Sequence, residues 1–375
     1  MRRTSVRSAA AAQVAPPNPS QSGPLKTPTR LSPVKSESRA SLLPRARVLD
    51  VLFGKSRFIG SRCQADAPRG FISPAEARVL LGIDYDDAVT IEKNYRPSFG
   101  NNIGTAGRAT IARCLSVGGS GVRERRPFIV SARVDAISIS DAAEAILTPL
   151  ADRAKIILFA HPHALNLAYF DPALSKRMHR ADLVLPDGVG IRIAARMLGR
   201  MLPNNVNGTD MLPVLCSGAV ERGLPLVLVG GKPGVAKTCA ERLQQGTPGL
   251  KIPIVSDGYL GENESHRLVE QIRSIGPCMV LVGMGTPLQE AWAWNYLADL
   301  PGVSAVTVGG LFDFFAGRME RAPMAWREMG LEWLFRLIQE PRRMARRYLV
   351  GNPLFISLAL MQRFRSRASD RATGA

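Results

Sequence analysis

From about residue 127 onward the chain alternates short apolar runs, each closed by Gly, Pro or Asp, with stretches of helical periodicity. Parallel strands impose that alternation, because each needs a crossover, usually a helix, to bring the chain back beside it. The pattern predicts strands at 156–159, 183–185, 226–229, 252–255, 279–282 and 305–308. It predicts helices at 140–151, 190–198, 235–245, 264–274 and 288–297. No tandem repeat interrupts the series, so the expected class is α/β, a parallel sheet with flanking helices.

A chain of 375 residues, 46% hydrophobic, can bury one core of roughly 200–250 residues and carry an appendage. Residues 1–45 are rich in Ser, Pro, Ala and Arg and nearly free of acids, so they read as a disordered basic tail. Their composition resembles a transit peptide, and a mis-assigned start codon explains them equally well; they lack the apolar run and cleavage site of a secretory signal. Residues 46–126 form an N-terminal extension of patterned fragments without an assignable role, ahead of a core at 127–320 and a basic appendage at 321–375.

The net charge of +18 calls for an anionic partner: nucleic acid, anionic lipid or a phosphorylated substrate. Aromatics make up only 6% of the chain and no basic stretch is interleaved with stacking rings, so nucleic acid is not expected. Cys63, Cys114, Cys216, Cys239 and Cys278 are widely spaced and odd in number, which fits a reduced compartment and no structural zinc. No cofactor or metal is expected.

Ligands of open α/β sheets gather beyond the carboxyl ends of the strands. After 183–185 comes Asp187, on a turn at a helix start, which suits either a helix cap or a functional carboxylate. After 226–229 come Gly230 and Gly231 in GGKPGVAKT, a loop whose amides and helix dipole suit a phosphate. Ala236 stands where a nucleotide-binding P-loop needs glycine, which argues against a nucleoside triphosphatase. After 279–282, Gly285 and Gln289 open a helix; Gln289 suits a phosphate or sugar, or only the helix's first turn. After 305–308, Gly309, Gly310 and Asp313 lead into the C-terminal segment.

Two further groups accompany these turns. His161 and His163, followed by Asn166, can face one side of a strand; with no third ligand nearby they favour hydrogen bonding over metal. The amide-rich block at 204–210, with Asn207, Thr209 and Asp210, suits sugar hydroxyls or an Asx-type turn.

The C-terminal segment sets Arg318, Arg321, Arg336, Arg342, Arg343, Arg346 and Arg347 beside a face containing Trp333, Leu334 and Phe335. Guanidinium forks match phosphate bidentately and can neutralise a pyrophosphate without metal; a solvated amphipathic helix is the plainer reading. No apolar run approaches the roughly 20 residues that span a bilayer.

Together ADLVLPDGVG, NVNGTDMLP, VLVGGKPGVA, VGMGTPLQEAW, VGGLFDFFAG and the arginine segment at 321–352 resemble the WecG/TagA/CpsF glycosyltransferase family over roughly 127–352. The resemblance implies a Rossmann-like core and a metal-independent, inverting transferase. Such an enzyme moves a sugar from a UDP-sugar onto a polyprenyl-diphosphate-linked monosaccharide in surface polysaccharide assembly. It also implies a cytoplasmic protein, peripheral on the inner face of the cytoplasmic membrane, whose appendage closes the site against anionic lipid. The family's catalytic aspartate falls on Asp187 and its motif glutamine on Gln289. Its C-terminal arginines fall on Arg321, Arg336, Arg342, Arg343, Arg346 and Arg347.

The chain departs from the family at Phe159-Ala160-His161-Pro162-His163, where many members carry threonine and asparagine. This makes His161 or His163 a candidate second polar group, or an alternative base. By resemblance to one branch of the family, the His-Pro-His and Asn-Val-Asn-Gly variants lean toward a glucosyl donor in exopolysaccharide assembly, with N-acetylmannosamine and uronic acids left open, as is a homo-oligomer. Removal of the residues after 338 is expected to leave a folded, poorly active protein. The alternative from another class is a non-catalytic basic adaptor for membrane or nucleic acid, which explains the charge but not the strand-end motifs. A nucleotide-dependent oxidoreductase lacks its G-x-G-x-x-G after the first strand.

Overall fold

The computed structural model describes residues 57–59, 70–72, 105–106, 124–202, 205–323, 326–327 and 330–373. The tail at 1–45, expected to be disordered, and most of the extension at 46–126 lie outside the described residues, as do Cys63 and Cys114. Six strands form one parallel sheet: β1 (Lys155–Ala160), β2 (Leu183–Pro186), β3 (Leu226–Gly230), β4 (Ile254–Ser256), β5 (Cys278–Gly283) and β6 (Val303–Thr307). Their spatial order is β2-β1-β6-β5-β3-β4. A short antiparallel hairpin, Phe128–Ile129 with Ala132–Arg133, precedes the sheet, and Arg57–Ile59 pairs in parallel with Gly70–Ile72.

The helices are α1 (Ile139–Ile146), α2 (Pro162–Phe170), α3 (Pro172–Arg180), α4 (Val189–Met197), α5 (Gly208–Arg222), α6 (Val235–Gly246) and α7 (Glu262–Ile275). They continue with α8 (Leu288–Trp292, extended by the π-helical turn Ala293–Leu297), α9 (Leu311–Phe315), α10 (Glu332–Gln339), α11 (Pro341–Ala345, extended by the π-helical turn Arg346–Val350) and α12 (Gly351–Thr373). Five of the six expected strands fall where the apolar runs place them. The fourth shifts to Ile254–Ser256 and is the partly exposed edge strand, where little burial marks its limits.

Strand residues divide alternately between two cores, as the period of two requires. Ile156, Leu158 and Ala160 join one with Val227, Val229, Val280 and Val282, under α2, α3, α4 and α7. Ile157 and Phe159 join the other with Leu226, Leu228, Met279 and Leu281, under α1, α5, α6 and α9. Cys216, Cys239 and Cys278 are free and buried, and burial pushes the first two thiols up to about 12, so they pack as small apolar groups.

The C-terminal helix belongs to the first core. Phe355, Leu358 and Ala359 of α12 are buried with Leu165 of α2 and Ile191 of α4. Asn166 donates from Nδ2 to the Gly351 carbonyl at 2.7 Å. Gln362 grips the hairpin turn, accepting from Val130 N at 2.7 Å and donating to the Phe128 carbonyl at 3.0 Å. Cutting the chain after 338 would strip the Phe355, Leu358 and Ala359 surface from this core, so a truncated chain is predicted to lose stability.

Candidate active site

Asp187 follows β2 directly, where its N–H donates to the carbonyl of Ala160 at the end of β1 with 2.8 Å separation. It does not cap α4: that role falls to Gly188, at φ 90°, with no side-chain cap. The Gly188 N–H donates instead to Asn205 Oδ1 at 2.7 Å. The Asp187 carboxyl is pushed up to about 6 by burial, then by the charges of Glu332 and Asp210, while Arg347 and Arg336 pull the other way. A carboxyl titrating there is ionised at neutral pH yet still basic enough to accept a proton.

His161 and His163 stand beside it at the end of β1. His161 is the N-cap of α2: its Nδ1 accepts from Ala164 N at 3.0 Å, with Arg347 Nη2 at 3.3 Å. An accepting Nδ1 places the ring proton on Nε2. Burial, Arg347, His163 and Arg336 hold His161 well below the usual histidine range; burial and Arg347 lower His163 to about 4. The rings are stacked, 6.1 Å apart and 6° from parallel, and both are neutral. Nearby, Asn166 is 5% exposed and its Oδ1 lacks a partner.

Gln289 faces inward. Its Oε1 accepts from Gly285 N at 3.2 Å and Gly309 N at 2.8 Å, tying together the turns that follow β5 and β6. Its Nε2 donates to Glu290 Oε1 at 2.9 Å, and Thr286 donates to the same oxygen at 3.0 Å, which fixes the amide's orientation. Burial raises the Glu290 carboxyl, and its Oε2 is buried without a partner. Gly230 also serves packing: at φ 144°, a Cβ there would lie 2.4 Å from the Gly283 carbonyl oxygen. The Gly231 N–H already donates to that oxygen at 2.8 Å.

The 205–210 block folds on itself. Asn207 caps α5, its Oδ1 accepting from Asp210 N and from the Thr209 hydroxyl, both at 2.8 Å, while its Nδ2 donates to Asp210 Oδ2 at 2.6 Å. The other Asp210 oxygen lies 2.6 Å from Arg321 Nη2. The Asx-type arrangement is thus what the amides build.

The remaining arginines take different placements. Arg336 lies 5.0 Å over the Phe314 ring, with its Nη2 so near Gly310 that a Cβ there would meet it at 2.9 Å. Arg336 and Arg347 both act on Asp187, and Asp313 Oδ2 borders Gly310. Arg342, Arg343 and Arg346 are exposed, and Arg343 pairs with Glu340 at 3.1 Å. Arg318 lines an open pocket with Pro233, Gly234, Val235 and Thr238.

The sequence reading missed Glu332, which enters the site in the first turn of α10 with its carboxyl raised by burial. Glu332 is one of three acids in the 321–352 segment, with Glu328 and Glu340, and nothing in the sequence singles it out. Among the described residues no group of three or more His, Cys, Asp or Glu is placed to hold a metal ion. Nor is any helix among them long and apolar enough to cross a membrane.

Two curated relatives share the name N-acetylglucosaminyldiphosphoundecaprenol N-acetyl-beta-D-mannosaminyltransferase. The protein from Bacillus spizizenii is 29% identical over 223 residues, covering 60% of this chain and 85% of its own length. That from Bacillus subtilis is 33% identical over 178 residues, covering 48% and 67%. The family model described as glycosyl transferase WecG/TagA/CpsF matches residues 128–369, a stretch holding the whole sheet, Asp187 and the C-terminal arginines. On that match, with its parallel sheet and strand-end carboxylate, the chain is a glycosyltransferase of the WecG/TagA/CpsF family.

Proposed function

We propose that the protein is an inverting, metal-independent transferase that moves a hexosyl group from a UDP-sugar onto a polyprenyl-diphosphate-linked monosaccharide. The observation carrying this reading is Asp187: a carboxyl titrating at about 6 at the end of β2, faced by Arg336 and Arg347. Ionised Asp187 takes the proton of an acceptor hydroxyl as its oxygen attacks the anomeric carbon from the face opposite the diphosphate. The bond from that carbon to the phosphate oxygen breaks, UDP leaves with the electron pair, and the configuration inverts. A positioned base contributes on the order of 100- to 10,000-fold. Arg336 and Arg347 offset diphosphate charge, as guanidinium forks do well.

The names of the relatives support a lipid-linked acceptor. Support for work at an anionic membrane surface, on the inner face of the cytoplasmic membrane, comes from α11, α12 and the turn between them. These elements carry exposed Arg342 and Arg346 and exposed Leu349, Val350, Met361 and Phe364. The product would feed surface polysaccharide or exopolysaccharide assembly.

The test is UDP release from a panel of UDP-sugars, in EDTA, with short-chain polyprenyl-diphosphate acceptors bearing N-acetylglucosamine or glucose. Acceptor-dependent release that Asp187→Asn abolishes is the expected result. No release from any donor–acceptor pair, or full activity in Asp187→Asn, would overturn the reading.

A further inference from the structure

We propose that Asp210 and Arg321 form a charge latch that holds Glu332 beside Asp187, so that Asp210 positions the catalytic machinery instead of binding the sugar. The inference rests on the reading of Asp187 as the base of the transfer reaction.

Both carboxylate oxygens of Asp210 are engaged inside the protein, Oδ2 by Asn207 Nδ2 and Oδ1 by Arg321 Nη2, each at 2.6 Å. With the Asn207 cap and the Thr209 hydroxyl closing the same turn, the start of α5 is a self-satisfied knot whose one outward charge meets Arg321. Arg321 lies in the chain that leads from the core to α10, and its Nε is 3.9 Å from Glu332 Oε1. Its Nε and Nη2 are buried without an aligned hydrogen-bond acceptor, so charge rather than directional bonding holds it. One cation thus stands between two carboxylates, 2.6 Å from Asp210 and 3.9 Å from Glu332. Burial raises the Glu332 carboxyl and Arg321 works against that rise; the ionised form of Glu332 acts on Asp187.

The groups facing Asp187 come from three places: Glu332 and Arg336 of α10, Arg347 of the turn after α11, and Asp210 of α5. His161 and His163, also beside Arg347, are neutral. Removing the Asp210 charge takes one anion from this set and frees Arg321 to close on Glu332; both changes lower the proton affinity of Asp187. Removing the Arg321 charge does the reverse, leaving two unscreened anions near the base.

This opposition of sign is the signature to measure. In Asp210→Asn the acid limb of the kcat–pH profile is expected to move down by about half a unit or more, and in Arg321→Gln up by a similar amount. Arg321→Lys, which keeps the charge, is expected to restore the wild-type limb with kcat within about threefold. Limbs that stay fixed or move together would overturn the latch. So would a large rise in donor KM for Asp210→Asn with its limb in place, since that marks a direct sugar ligand. A melting cycle over Asp210→Asn, Arg321→Gln and the double variant keeps the latch testable apart from the chemistry. A double variant no less stable than the worse single supports it, and additive losses overturn it, even if no donor is turned over and the reading of Asp187 falls.

Discussion

Arg347 lies 186 residues beyond His161 in the sequence, yet its Nη2 sits 3.3 Å from the imidazole Nδ1. That nitrogen also receives the Ala164 N–H, so its lone pair is engaged and a cation stands where a proton would have to arrive. His161 is therefore read as a helix cap within the site rather than its base. His161→Asn, which keeps a capping oxygen, is expected to retain turnover within about tenfold, whereas loss of a base costs on the order of 100-fold or more. Single-turnover kinetics on the two proteins decide between these outcomes.

Asp187 carries opposite consequences for activity and stability. Its folded-state value, about 6, lies above the ordinary 3.8, so the folded protein holds this proton more tightly than the unfolded chain. The stability it contributes is complete below the ordinary value and is lost as pH rises through about 6. At pH 7.5 the ionised, partly buried carboxylate is a net cost. Asp187→Asn is expected to melt at a higher temperature than wild type at that pH while turning over at least about 100-fold more slowly. The wild-type kcat should fall as pH drops below about 6. A lower melting temperature in the variant would contradict the assignment.

The packing of α12 predicts that the appendage cannot be removed cleanly. Phe355 is 1% exposed within the core shared with α2 and α4. Phe355→Ala is expected to cost about 3–5 kcal/mol in chemical denaturation. A chain ending at 338 should bind a hydrophobic dye and precipitate. A truncated protein with the wild-type melting temperature would show that α12 is only docked.

Gln289 joins the turns after β5 and β6 through one amide oxygen. Gln289→Ala leaves the Gly285 and Gly309 N–H groups without their acceptor, a loss of about 1–3 kcal/mol for a buried group. Stability and kcat are expected to fall together. A variant with wild-type stability but a large donor KM would instead mark Gln289 as a ligand of the diphosphate or sugar.

Leu349 and Phe364 are 60% and 64% exposed. Leu349→Ser with Phe364→Ser is expected to weaken sedimentation with vesicles containing anionic lipid by at least tenfold, while turnover of a short-chain soluble acceptor is kept. Unchanged vesicle binding would move the membrane contact elsewhere.

Local sequence pattern alone determines much of the architecture. The apolar runs ending in Gly, Pro or Asp place the strands, because a strand buried on both faces has to read as a continuous apolar stretch. Asp187 was legible for the same reason: the residue after a parallel strand stands at the open end of the sheet. Tertiary structure alone decided how the polar residues are used. Asn207 and Thr209 close a cap, Gln289 ties two turns, and His161 receives an N–H from its own helix. Each residue type suits a ligand or the backbone equally well, and only the partner within reach distinguishes the two. The arginines show this most clearly. Their charges are evident in sequence, but whether each meets Asp210, Asp187 or solvent depends on how α10 and α11 lie across the strand ends, a non-local arrangement that no periodicity encodes.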